Sequence, residues 1–244
     1  WKMRLDSYLV HCGLGSKKDV KLAIKKGVVS VNQEVIKKID YPVQVETDRV
    51  QFDGENVIYE AHYYYLFHKP KGVISATEDD QHRTVLDLLD ETARHKQVFP
   101  LGRLDIDTTG LLLLTNNGPL AHAMLSPKKH VSKVYQAKVA GLMTTEDVTA
   151  FAQGIELKDF VCQPATLRIL ESDQTEQTCQ VEIEIAEGKF HQVKRMVASR
   201  GKKVLELKRL SMGPLTLPDD LEEGQYRRLT ERELADLSGF QVDL

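Results

Sequence analysis

Read for apolar spacing, the chain begins with a small, helix-rich segment. Met3, Leu5, Leu9 and Val10 recur at helical spacing, and Gly13 and Gly15 break the run. Ser16 and Asp19 stand in the relation of a capping box, so a second helix is predicted from Lys17, carrying Val20, Leu22, Ala23 and Ile24 and ending at Gly27. Val28–Val31 and Val35–Ile36 predict short strands on either side of the turn Asn32-Gln33-Glu34, and Arg49–Phe52 adds another before Asp53-Gly54. Val57–Ala61 reads as a linker. Beyond it the pattern is mixed. Strands are predicted over 63–67, 98–101, 111–115, 134–140, 165–170, 180–186 and 203–210, and helices over 84–89, 119–125 and 190–199. Strands outnumber helices and do not alternate with them regularly. The expected class is therefore α+β: residues 1–60 as a small module with its linker, and 61–244 as a domain with a largely antiparallel mixed sheet flanked by helices.

Charge changes this picture through its distribution, not its total. The formal net charge is −3, which by itself argues against a polyanionic partner. Yet residues 1–38 hold nine Lys/Arg against three Asp/Glu, and residues 187–209 hold eight against two. No acid occurs from Asn116 to Thr145, where Lys128, Lys129, Lys133 and Lys138 lie. Segregation of this kind gives a basic face to a mildly acidic molecule and points to nucleic acid. In the predicted second helix, Lys17, Lys18, Lys21, Lys25 and Lys26 would supply phosphate contacts, which give affinity and register without sequence specificity. Cys12, Cys162 and Cys179 are scattered and form no CxxC pair, so reduced thiols are expected instead of disulfides or zinc. The longest apolar run is too short for a membrane span, no leader pattern opens the chain, and the cytoplasm is the expected compartment.

Candidate chemistry concentrates in Pro100–Gly118, PLGRLDIDTTGLLLLTNNG. Arg103 and Asp105 lie two apart just before an apolar strand, with Asp107 and Thr108 in the same loop. A carboxylate on a loop at the rim of a buried sheet is well placed for catalysis, but a surface turn in which Arg103 pairs with an aspartate fits the spacing equally. A nuclease or glycosidase built on Asp105 and Asp107 would need opposed carboxylates, a geometry that residues two apart on a loop rarely reach. No His/Ser or His/Cys pairing suggests a hydrolytic triad.

The segment GRLDIDTTGLLLLTNNG closely resembles the central motif of pseudouridine synthases that modify ribosomal RNA. HKPKGVISA (68–76), SPKKHVSKVYQAKV (126–139) and EGKFHQVKRMVASRGKKVLELKRLSMGPLTL (187–217) resemble the family's other motifs in the same order. The opening helices followed by GVVSVNQEVIKK resemble the α-L RNA-binding module of a small-subunit ribosomal protein. Together these cover nearly the whole chain, and the branch they resemble is the RsuA family, which acts on small-subunit ribosomal RNA. Relatives with very similar motifs act on the large subunit, and a non-catalytic assembly factor is a third possibility.

The resemblance implies a cofactor-free isomerisation of uridine, in keeping with the lack of a nucleotide-binding glycine motif or a metal-ligand cluster. It implies Asp105 as the catalytic carboxylate, with Lys194 as the cation beside it and Arg195 as the alternative. It implies that Tyr135 stacks on the extruded base and that Arg103 fills the vacated stack or meets phosphate. Lys69 is expected to be structural or to face phosphate, and His122 and His191 to be structural or to touch RNA. The expected partner is ribosomal RNA of the small subunit or its assembly intermediate, with no membrane, and the chain is expected to act as a monomer.

Overall fold

The computed structural model describes residues 1–244 and divides into two compact units, residues 1–63 with 88–99, and residues 64–87 with 100–244.

The first unit opens with β1 (Lys2–Arg4) and α1 (Leu5–His11), followed by α2 (Lys17–Lys26), β2 (Val29–Val31), β3 (Glu34–Val35), β4 (Pro42–Gln44), β5 (Val50–Phe52) and β6 (Glu55–Asn56). Met3 belongs to β1, where it pairs with Val43, and not to the helical stripe expected of it. The reason is tertiary: pairing with β4 holds Met3 extended, and the first two helical N–H groups, of Leu5 and Asp6, donate to Tyr41 O and Ile39 O across from them. In α2 the capping box forms as its sequence predicts. Asp19 N donates to Ser16 Oγ at 3.1 Å, Ser16 N donates to Asp19 Oδ2 at 3.2 Å, and Gly27 closes the helix in the left-handed conformation. Leu5, Leu9, Val20, Ile24, Val29 and Val43 are fully buried and form its core. The expected linker is packed against this unit, for Tyr59 stacks on Tyr8 and His11.

The second unit carries β7 (Tyr64–Lys69). The chain then forms α3 (Glu91–His95) in the first unit before β8 (Phe99–Pro100), β9 (Thr109–Thr115), α4 (Gly118–Leu125), β10 (Lys133–Ala140), α5 (Thr145–Gln153), β11 (Thr166–Asp173), β12 (Thr178–Ile185), α6 (Gln192–Ser199), β13 (Lys203–Met212), β14 (Leu215–Thr216), β15 (Tyr226–Arg228) and α7 (Glu231–Asp236). The helix predicted over 84–89 is a single 3-10 turn, Val85–Leu88, because Asp90 caps a separate helix by accepting from Ala93 N. Several elements escape the apolar pattern, among them α5, β15 and α7.

One nine-stranded sheet organises this unit, in the order β11-β12-β10-β13-β9-β7-β15, with β14 on β13 and β8 on β9. Along that order every pairing is antiparallel except β13–β9, which is parallel and only two residue pairs long. Gly110 makes that junction possible. Its φ is +113°, and a Cβ there would lie 2.2 Å from Arg209 O. Strands β7 and β9 are buried along their whole length, which explains the unbroken leucines 111–114. Strand β12 alternates instead, and its buried face packs with Phe151 of α5 and Met196 and Val197 of α6.

Candidate active site

Asp105 sits in the loop that leads into β9, and five hydrogen bonds with Lys69, Gly72 and Ser75 suspend that loop. Lys69 is fully buried. Its Nζ donates to Thr108 O at 2.8 Å, Pro70 O at 3.0 Å and Ile106 O at 3.3 Å. Ser75 Oγ donates to Leu104 O at 2.9 Å and accepts from Leu104 N at 3.0 Å, and Gly72 N donates to Ile106 O. Burial pulls the Lys69 ammonium down to about 8, against the upward pull of Asp107 and Asp105. Of the two expectations for Lys69, the structural one describes its position.

The opposite wall comes from the N-terminus of α6. The helix begins at Gln192, two residues later than its apolar pattern suggests, because His191 adopts the left-handed conformation at φ +48°. Gln192 then turns inward, where its Nε2 donates to Glu187 Oε2 at 2.8 Å, while Lys194 turns toward the loop. Lys194 Nζ lies 3.1 Å from Asp105 Oδ2 and 2.8 Å from Asp107 Oδ1. Partial burial opposes its charge, but the bonds to Asp107 and Asp105 prevail and raise it above the ordinary lysine range. The bond from Lys194 outweighs partial burial and holds Asp107 below the usual carboxylate range. His191 Nε2 is 3.3 Å from Asp105 Oδ2, with its ring stacked on the exposed Phe190 at 3.8 Å. His191, expected to be structural or to touch RNA, stands beside this carboxylate instead. The signal was its place three residues before Lys194, but only the left-handed turn aims it there.

Tyr135 enters from β10. Opposite it, β13 carries an extra residue, since Val134 pairs with Ser211 and Tyr135 with Arg209. Such a bulge twists the ladder locally and re-aims side chains. Arg103, Asp105, Tyr135, Lys194 and Leu207 line one cleft of about 390 Å³. Arg195 lies elsewhere. It forms an ion pair with Asp159 and rests over the Phe160 ring, so the cation beside Asp105 is Lys194. In the first unit, Lys17, Lys18, Lys25 and Lys26 of α2 are exposed and Lys21 is half-buried. His122 lies in α4, remote in sequence from both walls of the cleft.

A carboxylate with one oxygen held by a lysine, facing a tyrosine across an open cleft, suits attack on a sugar carbon or removal of a proton. The description RNA pseudouridylate synthase matches residues 63–199, and the S4 domain matches residues 3–50. The chain belongs to the RNA pseudouridylate synthase family. An uncharacterised RNA pseudouridine synthase of Bacillus subtilis is 42% identical, over 95% of this chain and 97% of the relative. Ribosomal large subunit pseudouridine synthase B of the same organism is 36% identical, over 95% and 93%. Ribosomal small subunit pseudouridine synthase A of Yersinia pestis is 38% identical, over 96% and 97%. A crystal structure of a pseudouridylate synthase superposes with a TM-score of 0.66 at 34% identity, covering 96% of this chain and 99% of that one. As a family member the chain is an isomerase with an RNA-binding S4 domain, and its mixed, largely antiparallel sheet agrees with the expected fold class. No helix is long and apolar enough to cross a membrane.

Proposed function

We propose that this chain isomerises a uridine of ribosomal RNA to pseudouridine, and that its target lies in small-subunit RNA or an assembly intermediate of that subunit. The observation that carries the chemistry is the 3.1 Å contact between Lys194 Nζ and Asp105 Oδ2 on the wall of the cleft shared with Tyr135. Asp105 serves as the catalytic carboxylate, either adding to the ribose or taking a proton from it. Lys194 pairs with it and fixes its direction. The bond between C1′ and N1 breaks, the base turns, and C5 bonds to C1′. C5 then yields its proton while N1 gains one, so no oxidant or energy source enters. Tyr135 stacks on the base and handles the C5 proton.

Extruding the base from a stack costs about a few kcal/mol, and Arg103 at the cleft edge offsets this by taking its place or binding phosphate. Residues 1–60 act as the RNA-binding module and linker, with Lys17, Lys18, Lys21, Lys25 and Lys26 on phosphate, and 61–244 as the catalytic domain. Arg195 joins them only when Asp159 releases it. The protein works as a monomer in the cytoplasm, during ribosome biogenesis. Support for the small subunit is the relative of that name from Yersinia pestis; the similarly identical large-subunit relative supports a second reading.

Ribosomal RNA tritiated at uracil C5 tests the proposal. Tritium release into water without strand cleavage or free base is expected. Sequencing for modified positions in 16S-type and 23S-type RNA then separates the two subunits, and absence of release from both would sink the activity.

A further inference from the structure

A second cavity of about 560 Å³ adjoins the cleft, sharing Arg103, Tyr135, Gly188 and Lys189 with it. Two cations on its wall are more than nine-tenths buried, Lys133 of β10 and Arg209 of β13. Neither forms a salt bridge. Lys133 Nζ donates only to the carbonyls of Val131 at 3.2 Å and Glu187 at 3.4 Å. Arg209 Nε donates to Leu111 O at 2.9 Å, and its Nη2 is buried without a hydrogen-bond partner. The one carboxylate on the same wall, Glu187, is engaged elsewhere: its Oε2 accepts from Gln163 N at 3.1 Å and from Gln192 Nε2 at 2.8 Å. Burial, and then the neighbouring Arg209, hold Lys133 down to about 8, against the weaker upward pull of Glu187. Two desolvated cations on one wall with no carboxylate bonded to either are costly, and the cost persists only where something else compensates it. Lys189 and His130 add positive or titratable groups at the same cavity, while Met124, Leu125 and Met212 give it an apolar side.

We infer that this cavity is a phosphodiester subsite for the nucleotide next to the target uridine, with Lys133 and Arg209 as its cations and the apolar side left to the attached nucleoside. The inference rests on the proposed RNA substrate and deepens it: the first cleft takes the base, and the second fixes the backbone beside it. Arg103 stands between the two, where it separates base from phosphate.

Uridine and uridine 3′,5′-bisphosphate, compared as competitive inhibitors of tritium release, test the subsite with the full chain. The bisphosphate should bind wild type about tenfold more tightly, the size expected of one charge-assisted phosphate contact. Lys133→Gln should bring that ratio near one and raise KM for RNA about tenfold, and Lys133→Arg should keep most of the preference. Thermal unfolding of both variants checks the fold. A wild-type protein without preference for the bisphosphate overturns the subsite whatever the variants do, as does a preference that a folded Lys133→Gln retains. No tritium release by wild type would instead overturn the RNA reading on which it stands.

Discussion

Two aspartates in the catalytic unit are held by cations from distant segments, yet they are held in opposite ways. Asp147, in the first turn of α5, is 1% exposed, and every approach to it is taken. Arg200 Nε and Lys202 Nζ each donate to it at 2.7 Å, and Thr144 N donates at 2.9 Å. Asp105 is 36% exposed in an open cleft. It shares Lys194 with Asp107, and His191 stands at 3.3 Å. A saturated carboxylate braces a fold. A carboxylate with one oxygen held and the other open to a cleft is available for chemistry. The difference lies in the partners that remain free, not in the residue type.

The sharpest way to break the comparison is to neutralise each aspartate in turn. Asp105→Asn should lower the rate of tritium release by about 10³-fold or more while the unfolding midpoint barely moves. A variant of normal rate would remove the carboxylate from the mechanism. Lys194→Met should slow single-turnover reaction by about 10–100-fold, the worth of one charge-assisted bond, with RNA affinity largely kept.

Asp147→Asn should do the reverse, leaving turnover near normal at low temperature and reducing stability by about 2 kcal/mol, or roughly 5 °C in the midpoint. The figure follows from linkage. Burial opposes the charge of Asp147, but Lys202 and Arg200 outweigh it and bring the group from 3.8 to about 2. A folded value below the unfolded one gives stability that is complete above about pH 4–5 and is lost as pH falls through about 2. Wild type should therefore lose this increment between about pH 4 and pH 2 and the variant should not, as denaturant midpoints measured at several pH values will reveal. The smallest effect is expected at Asp107, whose side chain is mostly exposed. Asp107→Asn frees Lys194 for Asp105 alone and should change the rate by about threefold at most, in steady-state assays.

Much of this was legible beforehand because it is local. The capping box of Ser16 and Asp19, the stop at Gly27 and the buried leucines 111–114 each carry their own physical signal. So did two of the elements that were not read: Thr144 with Asp147 and Thr230 with Glu233 form the same capping box at α5 and α7. Strand β15 was not legible, since Tyr226–Arg228 is too short for a pattern and exists through its pairing with β7. Likewise the helix over 190–199 was visible, but its start was not, because the left-handed His191 is stabilised by Phe190 and Asp105 and not by its own propensity.

By itself, then, the chain's order of residues determined the helices with caps, the fully buried strand, the resemblance of ordered motifs, and with them the family and the choice of Asp105. The resemblance put Lys194 ahead of Arg195 beside Asp105, and the structure brings Lys194 to it; tertiary structure alone decided that His191 joins them, that Lys69 holds up the loop from within, and that Lys133 and Arg209 share a cavity with no carboxylate bonded to either. These meetings join residues 37 to 89 positions apart in the chain and depend on sheet order, on the Gly110 junction and on the extra residue opposite Tyr135. Spacing reports which groups a segment carries. Which groups a low-dielectric interior brings within 3 Å of each other is a property of packing.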